Sequence, residues 1–172
     1  LIAIGLALIY GVMGVVNFAH GEFLMISMYA SVFAFTLGGL DPVVTLPFIA
    51  VAMFGFGVAV YYLLMKRVLG GAMHSQIFAT FGLMVFLQAA AQFTFGADYY
   101  SINHSWLGGT IRFGGITLPV PQIVAAIGAI LCTGCLYLLV FRTRVGRSLR
   151  AVSQDRVAAL TMGIDADRMN AL

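Results

Sequence analysis

Charge is what this chain most lacks. Its 172 residues include nine Lys and Arg and six Asp and Glu, 9% in all. A soluble globular domain is typically about 25% charged and about 45–50% apolar. Here 62% of residues are hydrophobic and the mean hydropathy is +1.02, which excludes a soluble domain and implies an integral membrane protein. Lysine occurs once, at Lys66, and no G-x-x-x-x-G-K-[ST] is present, so a P-loop is excluded and the chain cannot hydrolyse ATP alone. Neither H-E-x-x-H nor G-x-S-x-G occurs, so the commonest metalloprotease and serine-hydrolase signatures are missing. Cys132 and Cys135 form a C-x-x-C within the uncharged stretch Gln122 to Phe141. With no charge there to stabilise a thiolate, they read as two small, soft residues on one face of a membrane helix. The basic residues are not interleaved with aromatics in a patch, so nucleic acid is not expected as a partner.

Long apolar runs dominate what is present. A membrane-crossing helix needs about 20 mostly apolar residues. Four stretches meet that length: Phe23–Leu40, Val43–Met65, Ile77–Ala97 and Pro119–Phe141, and Leu1–Val16 reads as the truncated end of a fifth. Backbone groups in lipid must be bonded within their own segment, and the alternating pattern of a membrane barrel is absent. The expected fold is therefore an all-α polytopic helix bundle. The chain begins with Leu1 inside an apolar run and shows no signal peptide. It reads as an internal fragment, one transmembrane domain over residues 1–172, with a cytoplasmic loop at 142–168.

The connections carry their own signals. Gly38-Gly39-Leu40-Asp41-Pro42 predicts a tight turn, and Lys66 to Ser75 a short polar loop. Thr110–Phe113 and Ile116–Leu118 alternate around Gly114-Gly115 and predict a small β-hairpin. Alternating the spans puts Lys66, Arg67 and the segment Arg142–Arg168 on one side, leaving only Arg112 on the other, so the first side is cytoplasmic. The connection Asn17–Glu22 then falls on the cytoplasmic side, or just within the membrane from it.

That connection, Asn17-Phe18-Ala19-His20-Gly21-Glu22, is the main polar interruption among the spans. Two readings stay open. It can be a helix-hairpin loop, with Gly21 allowing the turn and Glu22 complementing the positive end of the next helix. Alternatively it is a helix break lining a solute path, because intramembrane ionisable groups are costly and transporters use broken helices to bind solutes. His20 and Glu22 supply only two possible metal ligands, and His74 and His104 fall in other loops, so no metal site and no catalytic residue is expected. Gln88 and Gln92 share one face of the third full span, as interhelical glue or as part of the path.

In the segment Arg142–Arg168, Val145, Leu149, Val152, Ala159 and Leu160 recur at helical spacing opposite Arg147, Arg150 and Gln154. This predicts an amphipathic helix over Arg150–Gly163, closed by Gly163. It is longer and more patterned than membrane anchoring requires, and suits docking of a cytoplasmic partner.

Gly5 to Phe23, G-L-A-L-I-Y-G-V-M-G-V-V-N-F-A-H-G-E-F, closely resembles the permease subunits of bacterial ABC importers for branched-chain amino acids. Arg142 to Ile164 is similar to the cytoplasmic coupling loop of the same family, with Arg150, Ala151, Asp155, Ala159, Gly163 and Ile164 at the matching positions. The resemblance implies an inner-membrane transport subunit, not an enzyme. It would dock cytoplasmic ATPases that use the ATP, pair with a second permease subunit, expected to be a paralogue, and receive substrate from a periplasmic binding protein. The chain itself would bind no cofactor and meet only lipid and these partners. Asn17, His20, Glu22, Gln88 and Gln92 would be pathway or gate residues. Urea and short-chain amide importers share the N-F/M-A-H-G-E motif, which leaves the substrate open among these classes. A channel for a small neutral solute would explain the spans and the hexapeptide but not the helix at Arg150–Gly163. A membrane-embedded enzyme is a third class, tested by turnover that responds to His20→Ala while transport does not.

Overall fold

The computed structural model describes residues 2–96, 98, 100–102, 109–113 and 116–171. Helix α1 covers Ile2–Met13, α2 His20–Gly38 and α3 Pro42–Val60, which runs on through a π-helical turn, Tyr61–Met65, into α4, Lys66–Val68. Helix α5 is Met73–Phe95, and strands β1, Thr110–Phe113, and β2, Ile116–Pro119, precede α6, Val120–Arg142. Three short helices follow: α7 Arg144–Gln154, α8 Arg156–Thr161 and α9 Ala166–Ala171.

Four helices are long and apolar enough to cross a membrane: His20–Gly38, Pro42–Val68, Met73–Phe95 and Val120–Arg142. They are the four expected spans, within a few residues at each end, and α1 is the shorter apolar helix before them. Large apolar side chains such as Phe48, Phe78, Phe93 and Ile130 are exposed along these helices. In a bilayer the hydrophobic effect does not separate such faces from lipid, so exposure there carries no penalty.

The turns follow local chemistry. Gly39, at φ 61°, ends α2, and its N–H and that of Leu40 return to Phe35 O and Ala34 O. Asp41 then caps α3 by accepting from Val43 N at 3.0 Å, with Pro42 in the first turn. The strands pair antiparallel in the expected register, Thr110 with Pro119 and Phe113 with Ile116, while Gly114-Gly115 lie outside the described residues.

At the C-terminal end of α6 the chain turns sharply into α7. Gly146 is required there: a Cβ would overlap the carbonyl oxygens of Leu139 and Val140. Thr143 caps α7 through Gly146 N at 3.1 Å.

Candidate intramembrane site and cytoplasmic loop

Helix α1 stops at Gly14, which takes φ 67°, a conformation open mainly to glycine. Residues 14–17 are non-helical, and 18–19 form a turn before α2. A helix rises about 1.5 Å per residue and an extended chain about 3.3 Å. Residues 14–17 reach about 13 Å when extended, and with the His20 side chain added they can climb back most of the roughly 18 Å that α1 descends over its 12 residues. Two contacts show that they do. Val15, at the foot, is buried against Tyr61 and Met65. His20, at the top, places Nε2 at 3.1 Å from the carbonyl of Ile2, the first residue of α1. A carbonyl only accepts, so Nε2 carries the proton in this bond.

The hexapeptide therefore lies deeper than the alternation of spans predicts. The rings of Phe23 and Phe56 meet at 5.5 Å. The helix from Phe56 to Val68 rises about 18 Å, and that from Met73 to Gln88 about 22 Å. The start of α2 thus sits roughly half-way along its neighbours rather than at their cytoplasmic end. Counting spans misplaces it because the count treats every non-helical residue as a surface residue, whereas residues 14–19 run back between helices.

Non-helical backbone at membrane depth is tolerated only where protein or a water-filled cavity surrounds it. The break is held accordingly. The fully buried Thr80 hydroxyl lies 3.3 Å from Val16 O while also reaching its own helix at Gln76 O and Ile77 O. Asn17 Oδ1 accepts from Ala19 N at 3.0 Å, and Asn17 O from His20 N at 3.2 Å, which turns the chain into α2. Glu22 falls in the first turn of α2, at the positive end of the helix. Its carboxylate accepts from Gln88 Nε2 at 2.8 Å.

The structure brings Glu22 and Gln88 together and gives His20 and Asn17 roles in shaping the break. Gln92, one turn beyond Gln88, is exposed and makes no side-chain hydrogen bond among the described residues. Two turns along from the Glu22–Gln88 pair, Tyr29 stacks on Phe95 at 4.4 Å, so α2 and α5 run in the same direction. Beside the break, His20, Phe23, Ser27 and Ser31 face Leu46 and Ile49 across a cleft of about 560 Å³. Thr80 and Gly5 escaped the sequence reading. A polar side chain in an apolar helix was the available signal for Thr80; for Gly5, whose Cβ would come within 3.3 Å of the His20 ring, there was none. Among the described residues no three His, Cys, Asp or Glu converge as metal ligands.

The loop after α6 differs from the single helix expected over Arg150–Gly163. It breaks at Asp155, whose extended backbone (φ −152°) separates α7 from α8. The Asp155 carboxylate accepts from Val157 N and Ala158 N, both at 2.9 Å, and an aspartate that captures backbone N–H groups starts a new helix in preference to continuing the old one. Gly163, at φ 79°, closes α8 as expected, with Ile164 N donating to Ala159 O at 3.0 Å. Val152, Ala159 and Ala166 pack together beneath Ile164 and Met169. Arg150 turns inward, donating to Val140 O at 2.9 Å and lying 5.1 Å from the Phe141 ring, and so secures the corner between α6 and α7. Ala151 is half-buried; Asp155 and Gly163 are exposed.

One carboxylate joins this loop to the third helix. Asp167 accepts from Lys66 Nζ at 2.9 Å and from Arg156 Nη2 at 3.1 Å. The hydrogen bond from Lys66 holds the Asp167 carboxyl below its usual range.

The family described as branched-chain amino acid transport system / permease component matches residues 1–172. The chain belongs to this permease family. Among its relatives, the chain is 29% identical to the high-affinity branched-chain amino acid transport system permease protein BraD of Pseudomonas aeruginosa, over 100% of this chain and 60% of that protein. It is 29% identical to the corresponding protein LivH of Salmonella typhimurium, again over 100% of this chain and 60% of the relative. The probable LivH of Methanocaldococcus jannaschii is 28% identical over 98% of this chain and 55% of its own length. The chain thus spans about 55–60% of the length of these relatives. No solved structure matches it.

Proposed function

We propose that this chain is part of the transmembrane permease subunit of an ATP-driven importer of branched-chain amino acids in a bacterial inner membrane, with the break at residues 14–22 lining the solute path. One observation carries the reading: the Glu22 carboxylate bonds to Gln88 at 2.8 Å, half-way along the spans, at the start of a broken helix. Intramembrane ionisable groups mark solute paths, and broken helices supply the polar groups that bind them. Gln88 gives Glu22 a neutral amide, which is a weaker partner than a cation. The ammonium group of an amino acid is the better partner for that carboxylate and would displace the amide, freeing Gln88 N–H groups for the substrate carboxylate. The cleft of Phe23, Leu24, Leu46 and Ile49, on the α3 side of α2 and lined by neither Glu22 nor Gln88, is an apolar space of a kind that suits a branched aliphatic side chain.

The remaining roles belong to partners. With one lysine and no P-loop, this stretch leaves ATP binding and hydrolysis to cytoplasmic ATPase subunits, and itself carries no cofactor. The exposed surface around Asp155 and Gly163, on the domain's 142–168 loop, is where those ATPases would dock. A second permease subunit and a periplasmic binding protein complete the importer. The test is uptake by the complete importer reconstituted in vesicles, with leucine, isoleucine, valine, urea and short amides as competitors. Leucine, isoleucine and valine should compete and the others should not. Glu22→Ala and Gln88→Ala should preserve assembly and lose uptake; unchanged uptake in both would reduce the break to a structural turn.

A further inference from the structure

The Pro42–Val68 helix is a rod of 27 residues with one irregular place, the π-helical turn Tyr61–Met65. A π turn holds more residues per turn than an α-helix, is costly, and is found mostly at functional positions. Here it lies where three parts of the molecule meet. Val15 and Met13, on either side of Gly14 at the foot of the break, pack on Tyr61 and Met65, and Ala171 of α9 packs on the same cluster. Apolar contact alone leaves the position of α9 loosely defined. Tyr61 and Asn170 are both buried at this contact, and among the described residues the Tyr61 hydroxyl and Asn170 Oδ1 make no hydrogen bond of good geometry, although the hydroxyl lies close to both Asn170 and Asp167. What fixes α9 in direction is Asp167, one oxygen on Lys66 directly after the π turn and the other on Arg156 at the start of α8.

We propose that Asp167 is a positioning residue that rivets the cytoplasmic loop to the π turn, so that displacement of the loop is delivered to the foot of the intramembrane break. The inference rests on the importer reading above and adds the route by which the loop reaches the site. Contacts run without a gap from α8 through Arg156, Asp167 and Lys66 to the π turn, then through Tyr61 and Met65 to Val15 and the segment that ends at Glu22. Without the rivet the loop still moves with the ATPase, but the motion is lost between α8 and the membrane.

The experiment uses the complete importer in vesicles and measures leucine uptake and ATP hydrolysis together. Asp167→Asn keeps the shape and removes the charge. Uptake per ATP hydrolysed should fall by about fivefold or more, the lower end of typical coupling between sites. Hydrolysis per assembled complex should stay near the native rate, and Asp167→Glu should recover most of the loss. An unchanged ratio in Asp167→Asn overturns the rivet. If that variant fails to assemble, Lys66→Cys with Asp167→Cys, in a background of Cys132→Ser and Cys135→Ala, gives a second test. A short bifunctional thiol crosslinker should then restore uptake, whereas a crosslink that blocks uptake overturns the rivet, because loop and turn would have to separate. A native importer that takes up no leucine counts against the importer reading itself, and is read before any variant.

Discussion

The break at residues 14–22 and the loop at 142–168 interrupt their helices with the same parts. Each has a glycine at positive φ, Gly14 at 67° and Gly163 at 79°, and each has a short polar side chain that gathers backbone N–H groups, Asn17 and Asp155. Their surroundings differ. Around Asp155 any unpaired backbone group meets water. Around Asn17 an unpaired group meets helices and lipid, where it costs several kcal/mol. The loop can therefore be rebuilt at little cost, while the break needs Thr80, Gln88 and the Ile2 carbonyl held in place by helices distant in sequence. Similar local chemistry thus makes a joint that its own segment holds in one place and a site that other helices must hold in the other.

The sharpest challenge to this contrast is a loop position held by close packing. Gly146→Val would drive a side chain into the Leu139 and Val140 carbonyls, and overpacking of this kind costs about 1–3 kcal/mol or more. Assembly of the variant, followed by size-exclusion chromatography in detergent, should be lost; normal assembly would mean that the corner between α6 and α7 bends freely. Next comes the matched pair Gly14→Ala and Gly163→Ala. Positive φ costs a non-glycine residue about 1–2 kcal/mol in either place. Thermal stability should fall alike in both, but leucine uptake should fall far more in Gly14→Ala, and equal uptake would erase the distinction between the regions.

The caps offer a finer comparison. Asp155→Ala removes an N-cap worth about 0.5–2 kcal/mol. Protease sensitivity of the loop should rise, and Asp155→Asn, which keeps a capping oxygen, should recover most of the loss. Asn17→Ala should cost more, because the Ala19 N–H it leaves behind is buried; similar melting temperatures for the two variants would count against a dry break. The smallest effect concerns acid. Asp167 has its native pKa depressed below 3.8 by Lys66, so its contribution is complete above that value and is lost as pH falls through the lower native one. Loop proteolysis should be flat from neutral pH to about pH 4 and rise only below it.

The parts legible in the sequence are those that one segment decides for itself. The four spans follow from apolar length, the turn at Gly39–Asp41 from its glycine and cap, and the hairpin from alternation around Gly114-Gly115. The split at Asp155 was legible in principle, since aspartate is a strong N-cap, but the apolar spacing running through it argued for one helix. The π turn at Tyr61–Met65 leaves no comparable mark, because the sequence Tyr-Tyr-Leu-Leu-Met suits an ordinary helix equally well. Arg150 read as a surface charge because its partner, the Val140 carbonyl, is backbone, and only the folded corner brings it near.

By itself the sequence determined that this is a helical membrane protein with no ATP-binding loop, that its basic side is the one carrying Lys66 and the loop, and that Asn17–Glu22 is its unusual segment. Composition and spacing suffice for these, because insertion into lipid is decided by each stretch's own transfer energy. Only the tertiary structure decided how deep that segment lies and what it meets. Glu22 and Gln88 are 66 residues apart, and Lys66 and Asp167 farther still. The first meeting depends on how far the non-helical residues 14–17 climb between helices and the second on how the loop folds back, and no local preference in the sequence encodes either distance.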